Sequence, residues 1–136
     1  VRSRGLGDVY KRQPSVGLSG RASMVVGDAD TAAAMGSGSL AVLATPRVVA
    51  LCEQATCVAV VDHLADGWTT VGTKVELDHL RATAVGSHVT AHAVLEEIDR
   101  RRLTFVVSVS DTNGAVAAGK VTRALVEVDR FMDTTR

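Results

Sequence analysis

The sequence predicts an α+β domain in which one long central helix is wrapped by a curved antiparallel β-sheet. Three observations carry that expectation. The segment from Pro46 to about Leu64 reads as a helix with apolar residues around most of its circumference, so other structure must enclose it. Everything after it alternates apolar and polar residues with the period of strands, punctuated by turn signals. The chain has 136 residues, one domain's length, and no linker, repeat or low-complexity tract divides it.

Composition narrows the function classes. Hydrophobic residues make up 46% and charged residues 22%, a globular balance. Lys plus Arg equals Asp plus Glu at 15 each, which argues against nucleic acid or a membrane surface as partner. No apolar run approaches the ~20 residues that cross a bilayer. Cys52 and Cys57 fall on different faces of the helix, so neither a disulfide nor a metal pair is expected, and a reducing, cytoplasmic compartment fits. Aromatic residues are scarce at 3%, so the core is expected to be aliphatic.

Along the chain, Val1 to Gln13 has no helical or strand period. Asp8-Val9-Tyr10-Lys11-Arg12-Gln13 is what GAT GTG TAT AAG AGA CAG encodes, the end sequence of a transposase-based sequencing adapter. Residues 1–13 are therefore expected to be adapter translated ahead of a truncated gene from a metagenomic read, with a natural basic tail as the alternative. The absence of an initiator methionine agrees, and the single domain is expected over residues 14–136.

Arg21 to Gly27 is the first strand candidate, followed by Asp30-Thr31 capping a short Ala-rich turn of helix through Met35. Gly36 to Ser39 is a flexible loop that lacks the Lys and the strand-to-helix setting of a phosphate loop. Thr45 is the N-cap candidate of the long helix, with Pro46 at its first position. Thr69 to Leu80 then places Val71, Thr73, Val75, Leu77 and His79 on one face, and Gly72 within it suggests a bulge or a close approach of ligand to backbone. Gly86 marks a turn before Ser87 to Ile98, where Val89, Ala91, Ala93 and Leu95 point inward. Asp99-Arg100 turns into Leu103, Phe105, Val107 and Val109, and Asn113-Gly114 is a strong hairpin signal. The last strand, Ala115 to about Asp129, aligns Ala117, Gly119, Val121, Arg123 and Leu125. One strand, one long helix and four antiparallel strands describe the hot-dog fold, whose open sheet edge favours pairing with a second copy as a homodimer.

Three residues break the apolar pattern. Glu53 shares a helical stripe with Val49, Cys57 and Val60, where a carboxylate needs partners or a raised pKa. The competing reading is a structural hydrogen bond or an interface ion pair. His79 lies on the inward face of its strand, where a satisfied core histidine is the alternative to a catalytic one. Arg123 shares an inward face with Val121 and Leu125 and needs a carboxylate or an anionic ligand there. His63, His88 and His92 read as solvated, and no metal-ligand spacing occurs. Arg100-Arg101-Arg102 reads as a solvated hairpin turn, with a contact to coenzyme A phosphates as the rarer alternative.

Taken together, Ala44-Thr45-Pro46, Glu53, Gly72-Thr73, Val75-Glu76, His79-Leu80, Arg101 to Phe105 and Gly119 with Arg123 resemble the fluoroacetyl-CoA thioesterase family over roughly Leu18 to Phe131. The resemblance implies hydrolysis of an acyl-CoA thioester, with coenzyme A entering as part of the substrate and no separate cofactor. It implies a catalytic constellation of Thr45, Glu53 and His79, and it puts Gly72 and Arg123 at the acyl end of the pocket. The sequence departs from the family where Gly36 and Ser39 stand in place of aromatic lid residues. The glycine-x-glycine-x-histidine-x-arginine strand motif also becomes Ala117, Gly119, Val121 and Arg123. A small-acyl thioesterase is therefore implied rather than a fluoroacetyl-specific one.

Thioester hydrolysis needs a nucleophile, a group to manage its proton, and a donor to the developing oxyanion. Glu53 attacks the carbonyl or activates water, His79 beside it assists proton transfer, and Thr45 donates a hydrogen bond or itself attacks; the sequence leaves these roles open. The alternatives are a hot-dog enoyl-CoA hydratase or dehydratase, whose Asp/His loop-to-helix motif is not found, and a catalytically silent acyl-CoA-binding module.

Overall fold

The computed structural model describes residues 13–136, so the suspected foreign tail, apart from Gln13, lies outside the described residues. The first strand, β1 (Ser19–Val25), leads into a single 3-10 turn and the short helix α1 (Ala32–Met35). Thr31 caps α1 as expected, accepting from the Ala34 N–H at 3.1 Å. The long helix α2 spans Thr45–Val60 and continues as a 3-10 turn over Val61–His63. The strands β2 (Trp68–His79), β3 (His88–Asp99), β4 (Arg102–Asp111) and β5 (Gly114–Glu127) follow, and a short helix α3 (Val128–Asp133) ends the chain. The sequence reading extends the last strand over the start of α3; the N-cap of that helix, Glu127, makes no side-chain capping bond, so no capping signal marks it.

The strands form one antiparallel sheet in the order β1-β3-β4-β5-β2, curled around α2, with β1 and β2 at its edges. The alternations read in β3, β4 and β5 hold. Val89, Ala91, Ala93, Leu95, Leu103, Phe105, Val107, Val109, Ala117 and Val121 are all at most 1% exposed. They pack on Val48, Leu51, Cys52 and Ala55 of the helix. Full burial of one Val, Leu or Phe side chain contributes about 1.5–3 kcal/mol, so this aliphatic layer is what holds helix and sheet together.

Two expectations are corrected. The helix starts one residue early: Ala44 is its N-cap, in extended conformation, and Thr45 is its first helical residue. The Ala44 N–H is held by Asp30 O at 2.9 Å, which sets where the chain turns into the helix. Pro46 still falls within the first turn, where its missing N–H costs nothing. Secondly, β2 does not alternate throughout. Gly72 pairs with Arg123 and Lys74 with Thr122, so Thr73 is the extra residue of a β-bulge. Val75, Leu77 and His79 point inward as read, but before the bulge the inward residues are Thr70 and Gly72, not Val71 and Thr73. An inserted residue reverses the face of everything on one side of it.

The helix lies mainly over β1 and β3 and covers β2 less completely. Its apolar circumference is accordingly not fully enclosed, with Val58 and Val61 exposed by 48% and 60%. Inward residues of β2 such as Val75 and Leu77 are only half-buried. On the β1 side contact is closest at Gly20, where an added Cβ would sit 2.5 Å from Ala55 O and from Ala59 N. Gly20→Ala should therefore push the strand off the helix and destabilise the protein by about 1–3 kcal/mol, read from the midpoint of urea unfolding.

Candidate active site

Each residue that breaks the apolar pattern finds a partner. Because Thr45 is inside the helix rather than capping it, its hydroxyl is free for another contact, and it meets His79 Nδ1 at 2.7 Å. That contact joins the start of α2 to the end of β2. The other ring nitrogen of His79, Nε2, is buried without a hydrogen-bond partner among the described residues. Thr45 and His79 line a pocket of about 280 Å³ with Val42, Leu43, Leu80 and Arg81.

Two helical turns further along α2, Glu53 Oε2 accepts from Arg123 NH1 at 3.0 Å. The Arg123 guanidinium is 8% exposed and needs more than one acceptor. Thr70 supplies the rest, its Oγ1 accepting from Nε at 2.9 Å and its carbonyl from NH2 at 3.0 Å. Gly72, paired with Arg123 across the sheet, leaves the room for this: a Cβ there would collide with Glu53 Oε2. The bulge is what turns Gly72 and Thr70 toward the helix. Glu53 is 35% exposed at the side chain and Cys57 is exposed, so the stripe around the carboxylate is less closed than its neighbours in sequence suggest.

The five expected site residues thus fall into two groups within one chain, Thr45 with His79 and Glu53 with Gly72 and Arg123. No hydrogen bond joins Glu53 to His79, although the sequence reading sets them side by side. Thr70 escapes sequence reasoning because strict alternation assigns it to the outer face. Only the suspicion of a bulge at Gly72 could have found it.

Burial pushes the Cys52 thiol up to about 11, and the adjacent Glu53 charge adds to the shift, so Cys52 packs as a small hydrophobe. Among the described residues no cluster of His, Cys, Asp or Glu is placed to hold a metal ion.

Residues 26–129 match the family model described as fluoroacetyl-CoA-specific thioesterase. The chain belongs to that family. It is 33% identical over 90 residues to the fluoroacetyl-CoA thioesterase of Streptantibioticus cattleyicolor, a stretch covering 66% of this chain and 65% of that relative's length. A solved structure of a fluoroacetyl-CoA thioesterase superposes with a TM-score of 0.83 at 29% identity, covering 90% of this chain and 96% of the other. A hot-dog-like protein from Thermanaerovibrio acidaminovorans gives 0.82 at 22% identity, covering 94% of each chain, a likeness of fold alone. The architecture is the hot-dog fold, as the sequence reading expects.

Arg81, at the wall of the Thr45–His79 pocket, is anchored to the β4–β5 turn. Its NH2 group donates to Asp111 Oδ1 and to Gly114 O. The hydrogen bond from Arg81 holds the Asp111 carboxyl below the ordinary aspartate range, helped by the Asn113 N–H. A lowered folded pKa means that this stabilisation is complete above the unfolded value near ~3.9 and is lost as pH falls through the folded value. Asp111→Asn should therefore be less stable than the parent at neutral pH, and the two unfolding curves should converge in acid.

Proposed function

We propose that the protein hydrolyses a small acyl-CoA thioester to the free acid and coenzyme A, with Thr45, His79 and Glu53 as its catalytic group and Gly72 and Arg123 at the acyl end. The observation that carries this reading is the Thr45–His79 contact at 2.7 Å, a nucleophile–base pair whose Nε2 lacks a partner within the chain. Such pairs work when a third group orients the base, commonly a carboxylate. Glu53 is the site's carboxylate, and within one chain it belongs to the other group of residues.

A homodimer resolves the separation. The outer edge of β2 is unpaired among the described residues, its inward residues are half-buried, and Leu80 just beyond it is 59% exposed. Two copies paired along β2 about a two-fold axis run antiparallel. The His79 end of one strand then lies beside the Gly72 end of the other, and each site combines Thr45 and His79 of one copy with Glu53, Gly72 and Arg123 of the second.

In this arrangement the Thr45 oxygen attacks the thioester carbonyl while its proton passes to His79 Nδ1. The first turn of α2 offers its positive dipole end to the developing oxyanion. Collapse of the tetrahedral intermediate breaks the C–S bond, and the departing thiolate takes the proton from His79. Water then cleaves the acyl-threonine ester by the same proton route, returning the threonine hydroxyl and releasing the acid. Glu53 steadies the imidazolium in both halves.

Two measurements test the reading. Glu53→Gln still accepts a hydrogen bond from Arg123 but lacks the charge, so thiol release should fall at least ~10²-fold while the unfolding midpoint stays close to the parent's. Absorbance change at an enoyl bond without thiol release would favour the hydratase instead, and acyl-CoA binding without turnover the silent module. Dissociating and reassembling an equal mixture of Thr45→Ala and Glu53→Gln should recover about a quarter of parent activity, because half the dimers then hold one intact site. No recovery would place the whole site in one chain.

A further inference from the structure

The longest run of positive charge in this chain of zero net charge is the β3–β4 hairpin. Asp99 and Arg102 close the turn as a cross-strand pair, and Arg100 and Arg101 form its tip. Arg100 has φ +60°, a left-handed conformation that hairpin tips normally give to glycine or asparagine. An arginine standing where the backbone favours glycine points to a use for its side chain. Among the described residues Arg100 has no ion-pair or hydrogen-bond partner at its side chain. Arg102 is bound to Asp99 at 2.9 Å, and the Arg101 guanidinium lies 5.3 Å from the centre of the Trp68 ring.

These residues border a groove of about 560 Å³ lined by Thr73, Asp99, Arg100, Arg101, Arg102 and Ala124. Its cations outnumber its one carboxylate, and an aromatic ring lies under one of them. The groove sits behind the Glu53–Arg123 cluster: Thr73 follows Gly72 at the bulge, and Ala124, next to Arg123, pairs with Arg102. At the same end of the sheet, Trp68 and the inward-facing Leu125 share an apolar depression of about 240 Å³ with Leu64 and Ala65. An apolar depression, an aromatic ring and a set of arginines at one end of the sheet suit a ligand with a neutral arm ending in a phosphorylated nucleotide.

We propose that the Arg100–Arg102 turn and Trp68 form the docking site for the 3′-phosphorylated ADP end of the acyl-CoA substrate, which rests on the acyl-CoA reading above. Arg100 and Arg101 meet phosphate oxygens as charge-assisted donors, and Trp68 offers a face to the adenine. Asp99 is kept from repelling the phosphates by its bond to Arg102.

Calorimetric titration of the whole chain with adenosine 3′,5′-bisphosphate and with AMP, for the parent and for Arg100→Gly/Arg101→Gln, tests this. The parent should bind the bisphosphate more tightly than AMP. The double variant should weaken bisphosphate binding by about tenfold, with a flatter salt dependence, since two charged donors are removed. Its thermal midpoint should not fall, because glycine accepts φ +60° without strain, which separates lost binding from lost folding. In turnover the loss should appear as a raised KM for acyl-CoA with kcat near the parent's. Equal bisphosphate affinity in the two proteins would overturn the site, and equal affinity for AMP and the bisphosphate would overturn its assignment to coenzyme A. Bisphosphate binding that behaves as expected in a protein releasing no thiol would count against hydrolysis alone.

Discussion

The buried guanidinium of Arg123 constrains the site more than any other group. A planar cation at 8% exposure must have its donors met, and it is served by three acceptors on two elements: Thr70 twice from β2 and Glu53 once from α2. Leaving such a group unpaired costs several kcal/mol, so the helix and the sheet are held in one register by it. The arrangement also needs a glycine opposite, because any side chain at position 72 would take the space of the Glu53 carboxylate. One cation thus decides where the acidic residue points, which strand residue must be small, and where the strand must bulge. Because Glu53 remains a third exposed, solvent screens part of the ion pair, and the hydrogen-bond geometry matters more than the charge.

The placement of α2 has the next largest consequence. The helix packs closely against β1, where Gly20 lets the backbones approach, and leaves the β2 side thinly covered. That asymmetry leaves Glu53 and His79 partly exposed while Phe105 and its neighbours are sealed. It also leaves apolar residues exposed on the helix and around the end of β2, including Val58, Val61 and Leu80. The proposed second copy and the two half-sites rest on that one feature.

Much of this was legible in the sequence. The helix, the inward faces of β3, β4 and β5, the Asn113-Gly114 hairpin and the oddity of Glu53, His79 and Arg123 all follow from periodicity and from the cost of burying charge. The misreadings have a common origin. Threonine before proline favours a cap at Thr45, yet the chain enters the helix one residue earlier, held by the Asp30 carbonyl from a distant turn. Strict alternation puts Thr70 on the wrong face because it carries no mark of an inserted residue.

The sequence by itself determined the inward faces of β3, β4 and β5 and which residues do not belong in an aliphatic core, because hydrophobic period and local turn chemistry are properties of neighbours along the chain. Only the tertiary structure decided who meets whom: that Arg123 takes Glu53 and Thr70, that Thr45 takes His79, and that these pairs stand apart within one chain. Those outcomes depend on the register between β2 and β5 and on where the helix lies across the sheet. Both are set by contacts dozens of residues apart, and a single-residue bulge is enough to change them.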